Sequence, residues 1–103
     1  MDYGKNVPAG ESEYALAQLV LQERRRGILR LIARQRLATP TNAASDIGMR
    51  SRQAQYHFSL LLKAGLIQPL PKPRFSKDES RGRLRPYMLT VRGREVVSSF
   101  GLV

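Results

Sequence analysis

The sequence predicts a mainly α fold with one small β-hairpin. Three observations carry this. Apolar residues recur at helical spacing through four stretches between Glu13 and Phe100. Thr39, Pro40 and Thr90 stand where helices are capped. One extended run, Leu66 to Phe75, is followed by one return segment, Leu84 to Thr90. At 103 residues and 42% hydrophobic content the chain supports one modest core, so a single compact domain is expected.

Residues 1–10 hold two glycines and a proline without periodicity and are expected to be a flexible lead-in. Ser12 is placed to cap a helix beginning at Glu13, whose carboxylate suits the positive end of the helix dipole. Tyr14, Ala17, Leu21, Ile28 and Leu31 then follow one helical face toward Leu37. Gly27 and the triplet Arg24, Arg25, Arg26 interrupt the middle, which leaves one long helix or two. From Arg24 onward, Ile28, Leu29, Leu31 and Ile32 fit a helix packed in the core. From Glu13 to Glu23, Leu16, Leu19, Val20 and Leu21 expose more apolar surface than a small domain covers, and a second protomer would cover it.

Thr39 followed by Pro40 reads as a cap and a first helical position, because proline lacks only an amide that is unpaired there anyway. The short helix runs to Ile47, Gly48 breaks it, and Met49 and Arg50 turn the chain into the stretch Ser51 to Ile67 around which the rest is organised. On a helix, Ala54, Phe58, Leu61 and Leu62 fall on one side of this stretch and Arg52, Gln53, Tyr56 and Lys63 on the other. Ala64 and Gly65 stop it. Prolines 69, 71 and 73 alternate, so they remove hydrogen bonds from one edge of the following strand and leave the other able to pair. Residues 76–83 form a polar, basic tip, and Thr90 caps a last helix in which Val96, Val97 and Phe100 share a face.

The net charge is +10 with a sequence pI of about 11.1, and fourteen of the eighteen basic residues are arginine, so the expected partner is a polyanion. Residues 1–48 hold seven basic and five acidic residues, residues 49–103 eleven and three, which places the anion-binding surface in the second half. Cysteine is absent, which excludes disulfides and thiolate metal sites. With no apolar run long enough for a membrane span and no signal-peptide pattern, the reading is a soluble cytoplasmic protein. His57, the one histidine, stands beside Phe58 and is expected to pack rather than bind metal. No nucleophile and base at helical spacing, no phosphate loop and no paired carboxylates occur, so neither catalysis nor a cofactor has candidate residues.

Four segments in order, RGILRLI, TPTNAASDIGM, SRQAQYHFSLLLKAGLI and YMLTVRGREVV, resemble the winged helix-turn-helix superfamily, as in the bacterial and archaeal regulators of the ArsR and MarR groups. The match runs from about Arg24 to Phe100. The resemblance implies a winged helix-turn-helix domain over 24–103, preceded by a helical extension over 11–23, and the apolar residues of Glu13 to Glu23 and of Val96 to Val103, beyond local need, point to a homodimer contact. The resemblance also implies a recognition helix in the major groove and a wing reaching the minor groove or the backbone. Carried over by position, Arg50, Ser51, Arg52, Gln53 and Tyr56 face DNA from that helix, and Arg81 and Arg83 from the wing. Arg50 stands where a small capping residue is more usual, and the proline-rich first wing strand is also a departure.

Arginine contacts guanine O6 and N7 in bidentate fashion and glutamine contacts adenine N6 and N7, so Arg52 and Gln53 are the candidates for base readout. Tyr56 suits a phosphate or a sugar, and Arg81 and Arg83, flanking Gly82, suit a narrow minor groove. Arg24 to Arg26, Thr41 and Lys72 are weaker phosphate candidates. The expected function is sequence-specific binding of double-stranded DNA by a homodimeric transcriptional regulator acting as a repressor. High arginine content suits a non-specific or architectural nucleic-acid binder equally well, in plasmid or phage maintenance or on RNA, and some winged helices are protein-interaction modules.

Overall fold

The computed structural model describes residues 9–70 and 85–102, with side chains from Tyr14 onward. Two helices, α1 (Ala9–Leu21) and α2 (Glu23–Gln35), replace the single long helix that the sequence left open. They part at Gln22, not at Gly27. The Gln22 backbone is extended, and its side-chain carbonyl accepts the Arg25 N–H at 3.0 Å, a cap the sequence did not advertise. Gly27 sits inside α2, where a Cβ would come within 3.3 Å of Ile47 Cδ1, so the glycine serves the approach of two helices. α1 starts at Ala9, ahead of Ser12.

Helix α3 (Pro40–Ile47) is capped by Thr39, whose hydroxyl accepts the Asn42 N–H at 2.9 Å, and ends at Gly48 in the left-handed region. Three residues later α4 (Ser51–Lys63) begins. It ends in a Schellman arrangement: Leu66 N–H donates to Leu61 O and Gly65 N–H to Leu62 O, with Gly65 at φ 77°. The antiparallel strands β1 (Ile67–Pro69) and β2 (Tyr87–Leu89) pair Gln68 with Met88. Ala38 adds a bridge on the far side of Tyr87. Leu70 N–H donates to Pro86 O, so Pro69 turns its nitrogen to the outer edge, as alternation requires. Residues 71–84, with Pro71, Pro73 and the hairpin tip, lie outside the described residues, as do residues 1–8 of the lead-in expected over 1–10, whose last two residues, Ala9 and Gly10, belong to α1 instead.

Thr90 caps α5 (Val91–Ser99) by accepting the Gly93 N–H at 2.9 Å, and its own hydroxyl donates to Gly65 O at 2.7 Å. One core holds all of this together. Ile28, Leu29, Leu31 and Ile32 of α2 sit at its centre, with Phe58 and Leu61 of α4, Leu66, Ile67 and Leu89 of the hairpin, and Val96 and Val97 of α5 around them. The face of α1 expected to stay exposed is largely covered within the chain: Val20 is fully buried and Leu16 and Leu19 pack against the core. Tyr14 and Leu21 remain exposed.

Candidate nucleic-acid interface

Helix α4 owes its orientation to its buried stripe. Ala54, His57, Phe58 and Leu61 face the core, which turns Arg52, Gln53 and Tyr56 outward, and Tyr56 is 58% exposed. Leu62, expected on the packed side, is 40% exposed, and His57 takes the buried position instead. The helix starts at Arg50 as its N-cap, an exposed residue. No carboxylate stands in the first turn of α4, so the positive end of the helix dipole and the guanidinium groups of Arg50 and Arg52 add rather than cancel. Such a surface attracts an anion.

Arg50 lacks the small hydroxyl or amide of an ordinary cap, and Gln53 supplies the reciprocal half of a capping box, an acceptor for the N–H of the cap residue itself. Its Oε1 accepts the Arg50 backbone N–H at 3.1 Å. The same oxygen accepts a second hydrogen bond, at 3.3 Å, from Arg24 Nη1 on α2. Ser51, grouped with the DNA-facing residues, is half-buried, and its Oγ is shielded from solvent without a hydrogen-bond partner. Arg50, Arg52, Gln53 and Tyr56 are therefore brought together on one exposed face and Ser51 stands behind it. Arg81, Arg83 and Lys72 lie outside the described residues. Thr41 is exposed in the first turn of α3.

The arginine triplet divides its roles. Arg25 Nε donates to Leu19 O at 2.6 Å, fixing the junction of α1 and α2, and its Nη1 lies 3.2 Å from His57 Nδ1. A guanidinium only donates, so His57 Nδ1 accepts and the ring is neutral with its proton on Nε2. His57 is 8% exposed, and burial, then Arg25, then Arg24 push its pKa below the usual 6.5. It is a packing residue that ties the recognition helix to α2. Among the described residues no three His, Cys, Asp or Glu side chains cluster as a metal site. Arg24 was the residue whose proximity the sequence hid, 29 positions from Gln53. The signal lay in the triplet itself, because cations in the first turn of a helix oppose its dipole and call for a partner from elsewhere.

A second feature lies between the first and last helices. Tyr14, Leu16 and Ala17 of α1 and Val96, Phe100, Arg92 and Glu95 at α5 line an open groove of about 620 Å³. The two ends of the chain thus contribute to one surface.

No protein-family model and no curated protein sequence matches this chain. Solved structures do. A protein with a GntR-superfamily winged-helix-turn-helix domain from Halomicrobium mukohataei superposes with a TM-score of 0.72 at 20% identity, over 92% of this chain and 68% of that one. The fold is a winged helix-turn-helix. Similarity extends to Staphylococcus aureus MarR in complex with salicylate and kanamycin, at a TM-score of 0.64, 17% identity, and 97% and 66% of the two chains. It extends also to Lactococcus lactis ZitR in apo form, at 0.62, 16%, and 98% and 71%. In winged-helix terms α3 is the supporting helix, α4 the recognition helix and the β1–β2 hairpin the base of the wing.

Proposed function

We propose that this winged helix binds double-stranded DNA sequence-specifically, with α4 in the major groove, as a homodimeric transcriptional regulator that represses by occupying a promoter. The observation that carries the reading is the exposed face of Arg50, Arg52, Gln53 and Tyr56 at the acid-free positive end of α4. Arg52 is the base-reading arginine, Arg50 and Tyr56 contact the backbone, and the wing arginines Arg81 and Arg83 extend the footprint. The dimer forms through the α1–α5 groove. Its rim carries both Arg92 and Glu95, so a two-fold axis sets Arg92 against the partner's Glu95 and the reverse.

One observation favours a second reading, a non-specific binder. The Gln53 oxygen already accepts two hydrogen bonds within the chain, so a bidentate contact with adenine requires the release of one of them. Selection from a random duplex library, with affinities for the enriched and scrambled sites followed across salt, separates the two. A pseudo-palindromic motif that outcompetes scrambled DNA at every salt is the expected result. Absence of enrichment with a steep salt slope is the result for the non-specific binder, and absence of binding to any duplex refutes both.

A further inference from the structure

We infer that Arg24, on α2 and outside the helix-turn-helix pair, is a DNA-backbone contact that is held ready by Gln53 and passes from it to a phosphate on binding. The inference rests on the DNA-binding reading above and adds to it a residue from a third helix. Three observations carry it. Arg24 Nη1 reaches Gln53 Oε1 at 3.3 Å, which puts the guanidinium at the start of the recognition helix, beside the Arg50 amide held by the same oxygen. Its position is crowded with like charge, because the first turn of α2 sets Arg24, Arg25 and Arg26 at the positive end of that dipole against a single carboxylate, Glu23.

The third observation is the weakness of its bond to Gln53: the bond is long, exposed and made to a neutral acceptor. A phosphate oxygen at the same place accepts a shorter, charge-assisted bond of roughly twice the strength. Arg25 shows the contrast. It shares that turn but is anchored by Leu19 O and His57, whereas among the described residues the Arg24 guanidinium is hydrogen-bonded to Gln53 alone. Transfer of Arg24 to phosphate also returns one lone pair of Gln53 Oε1, while the Arg50 N–H keeps the other.

The test is Arg24→Ala and Arg24→Lys beside the wild-type chain, each titrated on an enriched and a scrambled duplex over a range of salt. Arg24→Ala is expected to weaken both duplexes by a similar factor, on the order of tenfold, through loss of one charge-assisted bond. Its log–log salt dependence should flatten by about 0.9, one phosphate contact, while Arg24→Lys keeps the wild-type slope. Unchanged affinity and slope overturn the inference. So does a loss confined to the enriched duplex, which makes Arg24 only a positioning residue for Gln53. If the wild-type chain binds neither duplex, the DNA-binding reading itself has failed. Circular dichroism melting of each variant shows that the comparison is between folded proteins.

Discussion

At the scale of single residues, α4 is held by one pair and exposes Arg50, Arg52, Gln53 and Tyr56. Arg25 and His57 are the holding pair, and they make stability depend on pH. Burial and two neighbouring guanidinium groups keep His57 from accepting a proton, so the folded chain binds it less readily than the unfolded chain does. Stability from this group is complete above 6.5, the unfolded value, and is lost as pH falls through the lower folded value. Denaturant midpoints measured from about pH 8 down to about pH 5 should fall on the acid side, and His57→Gln should flatten that part of the profile. An unaltered profile in the variant would show that other groups govern acid sensitivity. Arg52 belongs to the exposed face. Arg52→Ala should cost about 1 to 3 kcal/mol on the enriched site and relax discrimination at one base position, read by repeating the selection with the variant.

At the scale of elements, the structure turns on how closely α5 meets β1. A Cβ added at Gly93 would collide with the backbone oxygen of Leu66 and lie 3.0 Å from its carbonyl carbon. Neither atom can swing away, because Leu66 O accepts the Thr90 N–H and Leu66 N–H closes the end of α4. Gly93→Ala should therefore destabilise the fold by about 3 kcal/mol, measured by equilibrium denaturation, although alanine is the better helix former. Gly48→Ala is a useful contrast, since nothing lies near its Cβ and only the positive φ opposes it. The same distinction explains what the sequence could and could not disclose. Thr39–Pro40, Thr90, Gly48 and Gly65 act on their own neighbours, so the bounds of α3, α4 and α5 were legible. Gly27 looked like a helix breaker because its role, room for Ile47, is a contact across the fold. The exposed face of α4 was legible from periodicity, but the bond from Arg24 to Gln53 was not, because helix packing alone creates it.

At the scale of the whole molecule, the proposed regulator requires that one winged helix become two reading heads at a fixed spacing. The sequence raised the dimer from two separate apolar ends, and folding brings parts of both to the same groove, where Tyr14, 65% exposed, faces α5. Covering Val20, Leu16 and Leu19 within the chain leaves α1 a smaller apolar surface than expected, so apolar burial alone gives the contact little specificity. In the proposed dimer charge supplies it: a two-fold pairing through Arg92 and Glu95, both of which line the groove, is satisfied in one geometry and repelled in most others. Arg92→Glu alone puts like charges together across the axis, and Glu95→Arg alone does the same with the opposite sign. Each single reversal should shift the chain to monomer in sedimentation at micromolar concentration and weaken binding to a two-half-site duplex far more than to a half-site. The double reversal, with the pairing restored in mirror form, should recover both. Recovery of neither, with all three variants folded, would move the dimer contact away from this groove.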